Sequence, residues 1–160
     1  MRKPILYMMC GIPGSGKSTW AKEHLTSAQY VSRDEIRYSM VKEDEEYFSQ
    51  ETQVFNAFAE EIAINLMSEK DVVADATHIN FQSRFKTINK INKYFSDYDI
   101  IFVSIETGYN LTKERNALRK GRECVPEEVI KSMYLRFTSP GLYEFKNVKQ
   151  VWTIKEGVKE

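Results

Sequence analysis

One segment near the start of the chain has residue types and spacing suited to holding phosphate. It is GIPGSGKST at positions 11–19, where the pattern G-x-x-x-x-G-K-[ST] is met by Gly11, Gly16, Lys17 and Ser18. Glycines let the backbone bend so that successive N–H groups face phosphate oxygens, and a following helix places its positive end there. In such a loop the lysine reaches the β- and γ-phosphates, and the serine hydroxyl ligates Mg²⁺. The segment therefore predicts that ATP is held, with Mg²⁺ on Ser18, by Gly14, Ser15, Gly16, Lys17, Ser18 and Thr19.

A carboxylate and a basic segment follow where phosphoryl transfer needs them. Asp34 comes directly after a short predicted strand, at the sheet edge where open α/β folds bind ligands. Between Leu111 and Arg122 there are five basic residues and one acid, which predicts a basic helix able to close over a triphosphate like a lid. Phosphoryl transfer requires positioning, neutralisation of charge and a carboxylate near the nucleophile. These residues predict an ATP-dependent phosphotransferase.

Four motifs together resemble one kinase family. In chain order they are GIPGSGKSTWA at 11–21, RDEIR at 33–37, ERNALR at 114–119 and VPEEVIKSMY at 125–134. They resemble the 5′-kinase domain of the phage polynucleotide kinase family, among the AAA-type and zeta-toxin-like small P-loop kinases, over about residues 4–137. The first motif is shared with many small kinases, whereas the two arginine motifs are more specific. The resemblance implies transfer of the ATP γ-phosphoryl to a 5′-hydroxyl of DNA or RNA, with nucleic-acid 5′ ends as the partner.

The resemblance also implies roles for individual residues. Asp34 is then the general base that takes the proton from the 5′-hydroxyl. Arg119 is the lid arginine that stabilises charge on the transferred phosphoryl group and completes a catalytic set with Lys17. Arg115 is a further basic position beside the nucleotide, and Arg37 holds the 3′-phosphate of the acceptor. The acceptor-binding residues implied are Arg33, Arg37, Asp75, Thr77 and Val125.

The sequence departs from the family pattern in three places. DATHIN at 75–80 resembles a D-T-x-x-N segment but has one residue inserted between Asp75 and Thr77. The role of Asp75 therefore stays open between the acceptor, water on Mg²⁺ and a loop cap. The lid is one residue longer before Pro126, which blurs the placement of Lys120 and Arg122. Nothing after residue 137 resembles a phosphatase domain, so no 3′-phosphatase activity is predicted.

Each chemical role has a plainer alternative. Asp34 can be an acid at a helix N-terminus, favoured there by the helix dipole. Arg37 can pair with nearby acids on the surface, and Arg119 can belong to a solvated basic face. The two histidines, His24 and His78, have no metal-ligand partners at recognisable spacing and are interpreted as structural.

The elements that must position these residues alternate along the chain. Apolar runs predict strands at 5–10, 29–32, 71–75, 99–105 and 148–154. Helices are predicted over about 17–26, 33–41, 48–68 and 110–120, across the stripe from Phe81 to Phe95, and from Pro126 onward. The aromatic residues that recur at helical spacing in these segments are interpreted as core. The alternation predicts one domain over 1–160, an α/β three-layer sandwich with a mostly parallel sheet, of the nucleoside-kinase type of P-loop NTPase.

The composition argues against several other classes of protein. The chain has 160 residues, 42% hydrophobic and 29% charged, which argues against disordered and fibrous classes. Its 23 basic and 23 acidic residues balance, which argues against extensive coating by nucleic acid. No apolar run approaches the ~20 residues of a membrane span, and the apolar N-terminal run leads into the glycine loop like a core strand rather than a signal peptide. Cys10, expected to pack behind the loop, and Cys124, given no role, resemble reduced thiols of a cytoplasmic protein.

Two other functions remain open at this stage. A small-molecule kinase for a nucleoside, nucleotide or sugar would share every feature of the phosphate loop, and the neutral net charge favours it mildly. An ATP-binding regulatory module would hydrolyse slowly and transfer only to water, but it has no evident need of Asp34 and a basic lid. The sequence leaves the oligomeric state open.

Overall fold

Five parallel strands form the centre of the protein. The computed structural model describes residues 2–157, so the predicted bounds 1–160 include four residues outside the described part. The strands are β1 (Ile5–Cys10), β2 (Gln29–Ser32), β3 (Val72–Asp75), β4 (Asp99–Thr107) and β5 (Val148–Glu156). Their order in the sheet is β2-β3-β1-β4-β5, and every pairing is parallel. The predicted α/β fold with a parallel sheet is confirmed.

The helices connect successive strands. They are α1 (Lys17–His24), α2 (Arg33–Met40), α3 (Glu51–Met67), α4 (Phe81–Asn92), α5 (Tyr109–Ala117) and α6 (Glu127–Arg136), with a 3-10 turn at Gly121–Glu123. Side-chain caps determine where two of these helices begin. The Ser32 hydroxyl accepts from the Glu35 backbone N–H at 3.2 Å at α2, and Asn80 forms a capping box with Ser83 at α4. None of the helices within residues 2–157 is long and apolar enough to cross a membrane.

The side chains of β1 point alternately to the two faces of the sheet, which explains why helices cover both faces. Leu6, Met8 and Cys10 pack into a cluster with residues of α3 and α4. Met9 points the other way, into a cluster with Ala21 of α1. Because successive side chains of a strand point to opposite faces, a continuous apolar run needs cover on both sides. The predicted position of Cys10 behind the phosphate loop is confirmed, since it is fully buried at the end of β1.

Two sequence predictions are wrong in detail. The stripe in α3 is core as expected, but Phe81 and Phe85 of α4 are 46% and 49% exposed. Helical spacing places residues on one face but does not say which face meets the sheet, and here α4 buries Arg84 and Ile91 instead. The predicted basic helix 110–120 ends at Ala117, so Arg119 lies in a loop.

A buried ion pair ties the segment after α6 to α4. Arg84 is almost fully buried, and its Nε and Nη2 donate to the two carboxylate oxygens of Glu144 at 2.8 and 3.1 Å. Its Nη1 donates to the carbonyls of His78 and Thr138. One side chain therefore fixes α4, the loop that follows β3 and the segment that leads to β5.

Glu144→Ala should reduce the free energy of unfolding by about 3 kcal/mol, because it leaves the Arg84 charge buried without its carboxylate. Urea denaturation of the purified chain measures this. Glu60→Ala, which removes an exposed acid of α3, is the control and should change the value by less than about 0.5 kcal/mol. Equal stability of the two variants would contradict the assigned role of the pair.

Candidate active site

The phosphate loop, residues 11–19, joins β1 to α1 in the conformation that its glycines permit. Gly14 and Gly16 have φ of 85° and 95°, in the left-handed region that side chains disfavour. A Cβ on Gly14 would also lie 2.8 Å from the carbonyl oxygen of Thr112 in α5. Alanine at that position would therefore be strained and would push α5 away. Lys17 follows as the first residue of α1 and is almost wholly buried.

Side chains from the end of β4 and from α5 hold the loop in place. Thr107, at the end of β4, donates its hydroxyl to the Ser15 carbonyl at 2.7 Å. Arg115 donates from Nη1 to the same carbonyl at 3.2 Å, and its Nη2 lies 2.6 Å from a carboxylate oxygen of Glu156. A Cβ on Gly16 would be 3.2 Å from Arg115 Nη1. The predicted nucleotide-side residue Arg115 thus lies directly against the phosphate loop.

A single carboxylate oxygen links the first turn of α1, β2 and β3 at the sheet edge. Oδ2 of Asp75 accepts the hydroxyl of Ser18 at 2.5 Å and also the hydroxyl of Tyr30. Burial raises the pKa of Tyr30 above its usual range, and the charge of Asp75 and the hydrogen bond to it raise it further. The phenol therefore stays protonated and donates. Asp75 is 4% exposed, and its side chain faces Ser18, whereas the neighbouring Ala76 and Thr77 line the cavity described next.

This pairing of oxygens meets the chemical requirements of Mg²⁺. The ion takes oxygen ligands, commonly one or two from protein hydroxyls or carboxylates together with substrate phosphates. Ser18 and Asp75 place such a hydroxyl and carboxylate side by side, next to Lys17 in the phosphate loop. Within residues 2–157 no group of three His, Cys, Asp or Glu side chains forms a self-sufficient metal cage. A metal here would therefore complete its coordination with nucleotide phosphates and water.

Seven predicted site residues line one cavity of about 240 Å³. It opens beside the phosphate loop, between α2, the start of α3, and the lid segment, which comprises residues 118–126. The predicted residues it brings together are Lys17, Arg33, Asp34, Arg37, Thr77, Arg119 and Val125. The sequence did not indicate the other residues that line the cavity, which include Tyr38, Tyr47, Phe48, Glu51, Val129 and Met133.

Arg37 is held on all sides at the base of this cavity. Its Nε and Nη2 donate to Glu51 at 2.5 and 3.1 Å, and its Nη1 donates to Asp34 Oδ1 at 2.5 Å. The guanidinium lies 4.9 Å from the ring centre of Tyr47 and 5.3 Å from that of Phe48. Burial acts to lower the pKa of Arg37, but hydrogen bonding and the charge of Glu51 outweigh it, so the pKa rises. The positive charge is thus permanent and already compensated by two carboxylates.

The same contacts position Asp34. Its side chain is 56% exposed in the first turn of α2, with Oδ1 held by Arg37 and, at 3.3 Å, by the Tyr47 hydroxyl. Within residues 2–157 no hydrogen bond reaches Oδ2. One oxygen is therefore fixed while the other is available to accept a proton. Glu51, by contrast, has its pKa lowered by Arg37 and Arg33 in spite of its burial, and both its oxygens are engaged.

The lid segment is folded back by one asparagine. Asn116, at the end of α5, donates to the Val125 carbonyl at 2.6 Å and accepts the Val125 N–H at 3.0 Å. This pair closes the loop that carries Arg119, whose Nη1 lies 3.4 Å from the Glu123 carbonyl. Arg122 donates to the Val41 carbonyl at 2.7 Å, which docks the lid segment onto the end of α2. The only sequence signal for Asn116 was its place within the ERNALR motif.

His78 has a structural role, as the sequence suggested. Its Nδ1 lies 2.8 Å from the Met9 carbonyl and its Nε2 lies 3.2 Å from the Thr87 hydroxyl. Burial lowers its pKa to about 4, so the ring is neutral and donates to Met9. The side chain therefore fixes the loop between β3 and α4 against β1.

Sheet order, phosphate loop and basic lid together define a P-loop kinase. In agreement with this, residues 6–140 match the AAA domain family, and the chain belongs to that family of P-loop kinases. The predicted kinase class is thereby confirmed.

Solved structures share this fold at low identity. A chain of the Pnkp1/Rnl/Hen1 RNA repair complex superposes with a TM-score of 0.71 at 21% identity, over 85% of this chain and 44% of that one. A protein of Chloroflexus aurantiacus described as a kinase gives 0.76 at 14% identity, over 96% and 89%. A sugar kinase of Janibacter sp. HTCC2649 gives 0.66 at 12% identity, over 96% and 85%. This chain thus spans less than half of the repair-complex chain, and these likenesses support the fold alone.

Tyr30→Phe should weaken Mg²⁺-dependent ATP binding about tenfold, because it removes a hydroxyl that orients Asp75. Calorimetric titration of ATP with and without Mg²⁺ measures this, and binding without the metal should change little. Tyr94→Phe, an exposed tyrosine after α4, is the control. Equal loss of binding with and without Mg²⁺ would contradict a role for Tyr30 through the metal.

Stability should fall as the pH is lowered from about 6.5 to about 4. The folded state holds His78 neutral down to a pKa of about 4, whereas the unfolded chain protonates it near 6.5, so acid favours unfolding by up to about 3 kcal/mol. Urea denaturation across this range measures the slope. His78→Asn should flatten it, since asparagine tolerates the positive φ at this position, and His24→Asn should not. An unchanged slope in His78→Asn would contradict this source of pH dependence.

Proposed function

We propose that the chain transfers the γ-phosphoryl group of ATP to a 5′-hydroxyl of DNA or RNA in the cytoplasm. The observation that carries the proposal is the cavity in which Lys17, Asp34 and Arg119 converge beside two further arginines and an aromatic and apolar wall. This lining supports the proposal that a phosphoryl donor site and a nucleotide acceptor site share one space. The free thiols of Cys10 and Cys124 fit a reducing compartment.

The proposed mechanism divides the reaction among residues on different elements. Lys17 neutralises the β- and γ-phosphates, and Arg119 approaches the transferred group from the lid segment. Mg²⁺, held through Ser18 and Asp75, would neutralise charge on the phosphate oxygens. Asp34 accepts the proton of the attacking hydroxyl on Oδ2, while Arg37 holds Oδ1 and fixes the direction of the carboxylate. Catalysis is then mainly positioning and charge stabilisation.

The walls of the acceptor side suit a nucleobase and its phosphate. Val125, Val129 and Met133 supply apolar surface, and Tyr47 and Phe48 supply rings. Arg33 lines the cavity with its side chain 27% exposed. Within the described part of the chain its only side-chain hydrogen bond is donated from Nη2 to Glu51, which leaves N–H groups for an acceptor that carries an oxyanion. We therefore place the 3′-phosphate of the acceptor nearer Arg33 than the sequence suggested, since the N–H groups of Arg37 are largely engaged by Glu51, Asp34 and Tyr47.

A small-molecule acceptor is the second candidate, and the acids of the cavity favour it. Asp34, Glu51 and Glu123 all line the space, and the charge of Arg37 is compensated. Such a balance suits a neutral polyol as well as a phosphate ester. Similar folds include a sugar kinase, which is compatible with this alternative.

Transfer of label from γ-labelled ATP with Mg²⁺ tests the two candidates directly. The acceptors are a 5′-hydroxyl oligonucleotide, a nucleoside 3′-monophosphate, the matching nucleoside without phosphate, and a panel of sugars. We expect label on the first two and a much weaker signal on the unphosphorylated nucleoside, because Arg33 would then lack its ligand. Label on a sugar or free nucleoside alone would assign the chain to the second candidate.

Asp34→Asn should reduce kcat by about 10²- to 10⁴-fold while leaving the affinity for ATP nearly unchanged, because only proton transfer is lost. Steady-state kinetics with the preferred acceptor measure this. Glu35→Gln, the neighbouring exposed acid in the same turn, is the matched control and should retain wild-type turnover. Wild-type turnover in Asp34→Asn would overturn the proposed mechanism.

Arg119→Ala should reduce kcat by about a hundredfold or more, since it removes charge stabilisation of the transferred group. Arg136→Ala, an exposed arginine at the end of α6, is the control. Equal kcat in the two variants would remove Arg119 from the catalytic set.

A further inference from the structure

An aromatic surface on α4 is left uncovered by the fold. Phe81 and Phe85 are about half exposed, and Tyr143, in the segment that packs beside α4, is 94% exposed. The rings of Phe81 and Phe85 lie 5.9 Å apart, and that of Phe145 stacks on Phe81 at 5.8 Å. Phe145 packs against the buried core, so the rings form a supported platform rather than a loose group.

The charged side chains in the segments around this platform are almost all basic. Segments 81–95 and 141–150 contain six Lys or Arg residues and one acid, Glu144, in a chain whose 23 basic and 23 acidic residues balance. That acid is already paired with buried Arg84. The five lysines that remain are Lys86, Lys90, Lys93, Lys146 and Lys149, and within residues 2–157 none of them forms a salt bridge.

Two contacts and a short connection link the acceptor cavity to α4. Arg33, which lines the cavity, has its guanidinium 5.5 Å from the ring centre of Phe55, and Lys86 Nζ lies 4.7 Å from the same ring. Thr77 also lines the cavity, and α4 begins only four residues later, at most roughly 14 Å along the chain. A basic residue of α4, Lys86, therefore lies against the same ring as Arg33 of the cavity.

We propose that this α4 face, defined by Phe81, Phe85, Lys86, Lys90, Tyr143 and Lys146, binds the single-stranded nucleic acid that continues from the 5′ nucleotide in the cavity. Bases stack on the rings and phosphates contact the lysines, the combination that binds single strands with little sequence preference. The proposal rests on the proposed function and adds that the preferred acceptor is a polymer of several nucleotides rather than a mononucleotide. The positive charge of the lysines complements a polyanion, so this surface favours a nucleic acid over a peptide.

Kinetics with acceptors of increasing length test this inference. The series runs from a nucleoside 3′-monophosphate to a 5′-hydroxyl oligonucleotide of about 12 nucleotides, within the site sizes of single-strand binders. We expect KM to fall with length. We also expect a stronger salt dependence of kcat/KM for the long acceptor, because more phosphates are contacted.

Phe85→Ala and the double variant Lys86→Gln, Lys90→Gln should each raise KM for the long acceptor about tenfold. Both should leave kcat and the KM of the mononucleotide unchanged, and the lysine variant should also flatten the salt dependence. Met67→Ala, at the end of α3, and Lys70→Gln, in the segment that follows, change exposed positions and are controls that should alter nothing. Anisotropy of a labelled oligonucleotide, measured without ATP, reports binding independently of transfer.

Other outcomes separate the two proposals. Equal KM across lengths, or variants with wild-type KM and anisotropy, would overturn the role of the α4 face while leaving the kinase assignment intact. Absence of transfer to every 5′-hydroxyl, with label on a sugar, would overturn the proposed function and this inference with it. Unchanged oligonucleotide binding together with lost self-association in Phe85→Ala, seen by sedimentation, would instead assign the face to a second copy of the chain.

Discussion

The carboxylate of Asp75 is the contact on which the site depends. It lies at the end of β3 and receives hydroxyls from Ser18, after β1, and from Tyr30 in β2. Two neighbouring parallel strands and the first turn of α1 therefore meet at one oxygen, and the phosphate loop is held against the strand that leads to Asp34. Because parallel strands end at the same edge, residues far apart in sequence converge there beside the phosphate loop.

The acceptor side depends on a second constraint, the compensation of Arg37. Glu51 and Asp34 neutralise its charge, and two aromatic rings enclose it. An arginine held in this way cannot move freely toward a substrate phosphate, but it fixes one oxygen of Asp34 and leaves the other open. Its role is better described as positioning the carboxylate than as capturing substrate. Arg33, whose side chain is hydrogen-bonded only to Glu51 within the described residues, takes over the second role in the proposed mechanism.

Local sequence determined much of this organisation. The phosphate loop was readable because its chemistry requires particular residues at fixed spacing, and the strands were readable because a sheet covered on both faces needs continuous apolar runs. The ends of the helices were predicted less accurately than the strands. The basic run to 120 looked like one helix, yet the structure ends it at Ala117, where Asn116 folds the chain back onto Val125. That pairing joins groups nine residues apart and has no periodic signature.

Sequence by itself therefore determined the fold class, the phosphate loop and the set of charged residues around it, because these follow from residue type and short-range spacing. Only the tertiary structure decided which charges are free and which are paired. Glu51 looked like an ordinary helix residue until the fold placed it on Arg37. Likewise, the stripe of Phe81 and Phe85 looked like core until the burial of Arg84 rotated it outward. Both outcomes depend on contacts between elements, which a helical repeat cannot encode.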